Sequence, residues 1–80
     1  MEQTVIPNNL KEYRKKAALT QMEVAHRLGF TSAERISEWE KGISYPHILN
    51  VFKLCVVYNA FPHDLFGELF NNLKKEIQKE

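Results

Sequence analysis

The chain has one cysteine, Cys55, among 80 residues, so it forms no internal disulfide and no Cys-x-x-Cys pair. That usage suits a reducing, cytoplasmic setting. His26, His47 and His63 fall at no regular metal-ligand spacing and find no cysteine pair to complete a site. They read as surface or capping residues, and no metal or other cofactor is expected. There is no glycine-rich phosphate loop, so a nucleotide-dependent enzyme is not expected, and nothing supports catalysis. No apolar run approaches the about 20 residues that a bilayer-spanning helix needs. The opening MEQTVIPNN has no basic stretch followed by an apolar one, so it does not read as a secretory signal. An excess of one charge is also missing. Eleven Lys and Arg face ten Asp and Glu, a net charge of +1. Binding nucleic acid by bulk charge alone is therefore disfavoured, as is an acidic disordered tail. A chain this short buries only about 60% of the surface exposed on unfolding, enough for one small core.

Glycine and proline are scarce, three of each, and they punctuate a helical pattern. Residues 1–7 show no apolar period and end at Pro7, so they read as a flexible N-terminal arm. Asn8 or Asn9 can cap a first helix over about Leu10 to Ala18. Thr20 and Glu23 have capping-box spacing at the head of a second helix, Gln21 to Leu28, which stops at Gly29. Thr31 and Glu34 repeat that spacing, placing the start of a third helix near Thr31 or Ser32 and its end at Gly42. Pro46 suits the first turn of a fourth helix to about Tyr58, with Asn59 left-handed at its end. Pro62 opens a fifth helix in the same way. No stretch sustains the period of two that strands require. The fold class is all-α, with five helices.

Two short helices about a glycine turn suggest a helix-turn-helix, a weak signal by itself. The residues around it are far more specific. Residues 19–42, LTQMEVAHRLGFTSAERISEWEKG, resemble the Cro and Xre type of helix-turn-helix domain, the lambda-repressor-like family. Leu19, Thr20, Gln21, Ala25, Leu28, Gly29, Ile36, Ser37, Trp39, Glu40 and Gly42 fit its pattern. The resemblance covers about residues 8–70 and leaves 71–80 as a C-terminal helical extension. It implies a five-helix DNA-binding domain, here with a longer last helix. Six residues separate Gly29 from Ile36, one more than the commonest family pattern.

At about 100° per residue, Ile36, Trp39 and Glu40 share the inner side of the third helix. Glu34, Glu38 and Lys41 fall opposite, flanked by Arg35 and Ser37. The resemblance implies that this outer face enters the major groove, with Ser32, Ala33, Glu34, Arg35, Ser37 and Glu38 at or near base-reading positions. It places Gln21 at the phosphate backbone, Lys41 and the amides of Gly42 to Ser44 on the backbone after the third helix, and Arg14 as the partner of Glu40. Lys11, Lys15, Lys16 and His47 are outer candidates that read equally well as a solvated face. Glu34 and Glu38 are like charges facing a polyanion. Three readings stay open: they accept from cytosine amines, Arg35 and Lys41 neutralise them, or the face binds something other than DNA.

Apolar residues also stand where the family usually carries polar ones: Leu49, Val56, Val57 and Phe61. After Pro62 a helical stripe continues through Leu65, Phe66, Leu69, Phe70, Leu73 and Ile77. Leu49, Val56, Phe61, Phe70, Leu73 and Ile77 are therefore expected at a homodimer interface; folding of the last helix over the fourth would also cover part of the stripe. The expected function is sequence-specific binding of double-stranded DNA at an inverted repeat, as a bacterial or phage transcriptional regulator. The alternative is a protein-interaction module, such as an antitoxin-like partner, with DNA binding secondary.

Overall fold

The computed structural model describes residues 5–78, and among these there is no strand. Five helices follow in order: α1 (Leu10–Lys16), α2 (Gln21–Leu28), α3 (Glu34–Lys41), α4 (Ile48–Tyr58) and α5 (Pro62–Gln78). Leu10, Val24, Ala25, Leu28, Ile36, Trp39, Leu54, Tyr58 and Leu65 form one core to which all five contribute. Ala25 is fully buried where α2 meets its neighbours, so the small side chain sets the approach distance. Cys55 is half-buried at the margin of this core. Burial, and then the charge of Asp64, push its thiol pKa up, away from reactive thiolate.

The same device ends the first four helices. The Phe30 N–H donates to Ala25 O at 2.8 Å and the Gly29 N–H to His26 O at 3.0 Å, the paired bonds of a Schellman motif. The pattern recurs from Ile43 to Glu38 and Gly42 to Trp39, from Ala60 to Cys55 and Asn59 to Val56, and from Leu19 to Arg14 and Ala18 to Lys15. Each motif needs one left-handed residue. Gly29 (φ 91), Gly42 (φ 78), Asn59 (φ 53) and Ala18 (φ 59) fill the places. Gly42 has a second constraint: a Cβ there would lie 2.5 Å from Val5 Cγ1 and 2.6 Å from Ile6 O. The chain ahead of α1 thus runs against the end of α3, where the Ile6 N–H donates to Gly42 O at 2.9 Å. Asn8 Nδ2 donates to Trp39 O at 3.1 Å. Residues 1–4 of the expected arm lie outside the described residues, as do residues 79–80 of the expected extension.

Helix starts depart from expectation in two places, and one helix end does too. The Thr20 box forms in full: Glu23 N–H to the Thr20 hydroxyl at 3.0 Å, and Thr20 N–H to Glu23 Oε1 at 2.8 Å. The Thr31 box does not. Helix α3 begins at Glu34 behind Ala33, with no side-chain cap. The connection from Gly29 instead turns about Phe30, whose ring packs edge-on against Trp39 with centroids 6.0 Å apart. Helix α4 begins at Ile48 rather than at Pro46, because His47 Nδ1 accepts from the Leu49 N–H at 3.2 Å and takes the cap position. Helix α1 ends at Lys16, with Ala17 and Ala18 already in its terminating turn.

Helix α5 is bent at Phe66 (φ −132, ψ 34). Two carbonyls of its first turn are turned outward to the segment before α1. The Asn9 N–H donates to Leu65 O at 2.9 Å, and Asn9 Nδ2 donates to Asp64 O at 3.0 Å. A side chain and an amide inserted into the ladder in this way account for the bend. Beyond it, residues 71–78 are all exposed.

Candidate nucleic-acid interface

A partly buried polar network fixes α3 relative to α1 and α2. Arg14 lies on α1, Gln21 opens α2 and Glu40 lies near the end of α3. Arg14 Nε donates to Glu40 Oε2 at 2.6 Å and Arg14 Nη2 to Glu40 Oε1 at 3.2 Å. The same Oε1 accepts from Gln21 Nε2 at 2.9 Å. Arg14 Nη1 reaches back to Leu19 O at 3.0 Å, so the guanidinium also clamps the turn between α1 and α2. The two side chains are 12% and 4% exposed, which makes the pair expensive to separate. The Arg14 pKa is raised, first by its hydrogen bond to Glu40 and against the desolvation of burial, so it stays charged. Tyr58 sits in the same region with its hydroxyl buried and without a hydrogen-bond partner. Burial, and secondarily the charge of Glu40, push its phenol pKa well up.

Gln21 is therefore not a free side chain at the head of α2. One Nε2 hydrogen is committed to Glu40, which aims the rest of the amide. On α3, Glu34, Arg35 and Lys41 are exposed and Ser37 and Glu38 half-buried. Ser32 is exposed and Ala33 half-buried in the connection ahead of them. Among the described residues the only ion pair is Arg14–Glu40, so neither Glu34 nor Glu38 is neutralised by direct contact with Arg35 or Lys41. Arg35 turns instead to an aromatic ring, its Cζ 4.9 Å from the Phe30 centroid. Phe30 belongs to this surface and had no role in the sequence reading. The available signal was an aromatic directly after the turn glycine with an Arg five residues on. Gly29, Phe30, Thr31, Ser32, Glu34 and Arg35 border a shallow hollow of about 370 Å³.

The residues expected at a dimer interface, Leu49, Val56, Phe61, Phe70, Leu73 and Ile77, are all exposed. Phe61, Phe70 and Leu73 come together with Tyr45, Pro46 and His63 along an apolar groove of about 560 Å³ between α4 and α5. Leu49, Val56 and Ile77 lie outside that groove. Ile48 and Phe52, exposed beside Leu49 and Val56, extend the apolar face of α4. Among the described residues, no three His, Cys, Asp or Glu gather as a metal site, and no helix is long and apolar enough to cross a membrane.

The helix-turn-helix family model (HTH_3), of the Cro/C1 type, matches residues 10–66. No curated protein and no solved structure matches the chain. The match runs from the first residue of α1 to Phe66, where α5 bends, and leaves the outer part of α5 beyond the family domain. With most of its length matched, the chain belongs to the Cro/C1-type helix-turn-helix family of DNA-binding, lambda-repressor-like transcriptional regulators.

Proposed function

We propose that the protein binds specific sequences in double-stranded DNA, with α2 and α3 as the helix-turn-helix and the outer face of α3 in the major groove. The observation that carries this is the Arg14–Glu40–Gln21 network. It locks the inner side of α3 to both preceding helices and so holds the opposite side to solvent as a rigid face. A rigid element holds base-reading side chains in register. On that face Ser37, Glu34 and Glu38 are the base-reading candidates, Ser32 and Ala33 flank it, and Arg35 and Lys41 meet phosphates. Gln21, steadied by Glu40, donates its remaining N–H to a phosphate at the head of α2. The carboxylates, without a cationic partner, accept from cytosine amines.

Homodimerisation on an inverted repeat completes the reading. Two recognition helices then meet successive major grooves about 34 Å apart. The exposed apolar residues of α4 and α5 supply the contact between copies, in a protein of the cytoplasm. The same apolar surface favours the second reading, a module that holds another protein while DNA binding is secondary. Selection of duplexes from a random pool, followed by titration of the selected and scrambled sequences, separates the two. The regulator reading expects the selected duplex to bind at least about a thousandfold more tightly, the lower end of the range for specific DNA-binding proteins. Equal affinity for both duplexes overturns it.

A further inference from the structure

Phe30 faces two ways. On one side it packs edge-to-face with the buried Trp39, the ring planes inclined at 68°. Its face carries the Arg35 guanidinium, 4.9 Å from the ring centroid. The ring is half-buried, in the connection between α2 and α3, while Arg35 is exposed at the second position of α3. A core tryptophan thus fixes a surface ring, and the ring fixes a cation.

A guanidinium held over an aromatic face keeps its N–H donors, which lie in its own plane, for other partners. Those donors suit a bidentate grip on phosphate oxygens. A free arginine loses much of its rotamer freedom on binding, and one already held over a ring loses less. Neither Glu34 nor Glu38 forms an ion pair with Arg35, so the charge is not cancelled where it stands. Arg35 lies on the flank of α3 beside the turn, whereas Glu34, Glu38 and Lys41 occupy the centre of the outer face. A side chain drawn back over the turn reaches the strand at the groove's edge before it reaches the groove floor.

The geometry points to Phe30 as a positioning residue that holds Arg35 as a phosphate clamp at the head of the recognition helix. This rests on the DNA-binding reading and adds to it a residue without charge or hydrogen-bonding groups in its side chain.

The test is a fluorescence anisotropy titration of the selected duplex, at several salt concentrations, with the wild type and four variants. Arg35→Ala removes the clamp. Its log-log salt slope becomes shallower by about 0.9, the share of one phosphate contact, and both selected and scrambled duplexes lose affinity by the same factor. Phe30→Leu keeps the charge and loses the face, so affinity falls about two- to fivefold with the slope unchanged, the range of an exposed cation–π contact. Phe30→Tyr restores wild-type affinity. The double variant Phe30→Leu with Arg35→Ala binds no worse than Arg35→Ala alone. A merely structural Phe30 would give additive losses and no rescue by the charge-neutral aromatic, and either result overturns the inference. Wild-type binding with unaltered Arg35→Ala overturns it alone, while absence of wild-type binding overturns the DNA reading with it.

Discussion

Ala18 holds a left-handed conformation, φ 59, that three other helix ends assign to glycine or asparagine. A side chain in that region costs roughly 1–2 kcal/mol, offset in part by the smaller chain entropy that alanine loses on folding. Ala18→Gly is therefore expected to raise unfolding free energy by up to about 1 kcal/mol in urea titration, and an unchanged or lower midpoint contradicts that account. Arg14 and Glu40 behave oppositely to a surface pair. Arg14→Met leaves a carboxylate of which 4% is exposed without its cation, a loss of roughly 3–5 kcal/mol where a buried pair is broken. Most of that loss should return on combining it with Glu40→Leu. If the double variant is as unstable as the single, the pair does more than satisfy its own charges. Glu23 carries a pH signature. Hydrogen bonds from Thr20 hold its pKa below the usual carboxylate value. Its contribution is therefore complete above the unfolded-state pKa and is lost as pH falls through the folded value. Glu23→Gln should flatten the stability profile in that acid window and leave its neutral-to-basic part unaltered in shape.

At the scale of the elements, the two turn glycines make unequal demands. Gly29 has φ 91 with open space around its missing Cβ, and Gly42 has φ 78 with Val5 and Ile6 against it. Gly29→Ala is expected to cost about 1 kcal/mol from the backbone alone. Gly42→Ala should cost clearly more, because the segment before α1 must also shift. Thermal unfolding that ranks them the other way contradicts the packing of that segment. The same contrast explains what was legible in the sequence. Thr20 and Glu23 form their box because both partners lie within one turn and nothing else competes. Thr31 and Glu34 have identical spacing, but Phe30 is drawn to Trp39 and Arg35, and the turn follows the ring. Gly42 was readable as a stop, yet its crowding depends on residues 5 and 6, far away in sequence. The bend at Phe66 was unreadable for a similar reason, since it follows from Asn9 taking the Leu65 carbonyl. On the candidate site, helical phase alone separated Glu40 from Glu34 and Glu38. It did not reveal that Gln21 is tied to Glu40 or that Arg35 sits over a ring.

For the whole molecule, a net charge of +1 is compatible with DNA binding because the charges are not evenly used. Arg14 and Glu40 cancel inside, and Glu23 is engaged in a cap. Arg35 and Lys41 remain exposed on α3, beside the exposed Glu34. The outer part of α5 raises a different question. Residues 71–78 are exposed throughout, and a helix of about two turns is marginal in water by itself. Its apolar residues Leu73 and Ile77, with Phe70 just before them, gain most if a second copy covers them. Sedimentation equilibrium should then give twice 9.4 kDa at micromolar concentration, with Leu73→Glu returning the protein to monomer. A monomer across that range contradicts the dimer and leaves the DNA face intact. The claim on which the rest depends is that α3 presents a DNA-binding face. It is tested most directly by the wild-type anisotropy titration of a labelled duplex from upstream of its own gene. Several phosphate contacts predict a log-log affinity slope steeper than about −2 with salt. No binding at micromolar protein and near-physiological salt, or an affinity indifferent to salt, would contradict it.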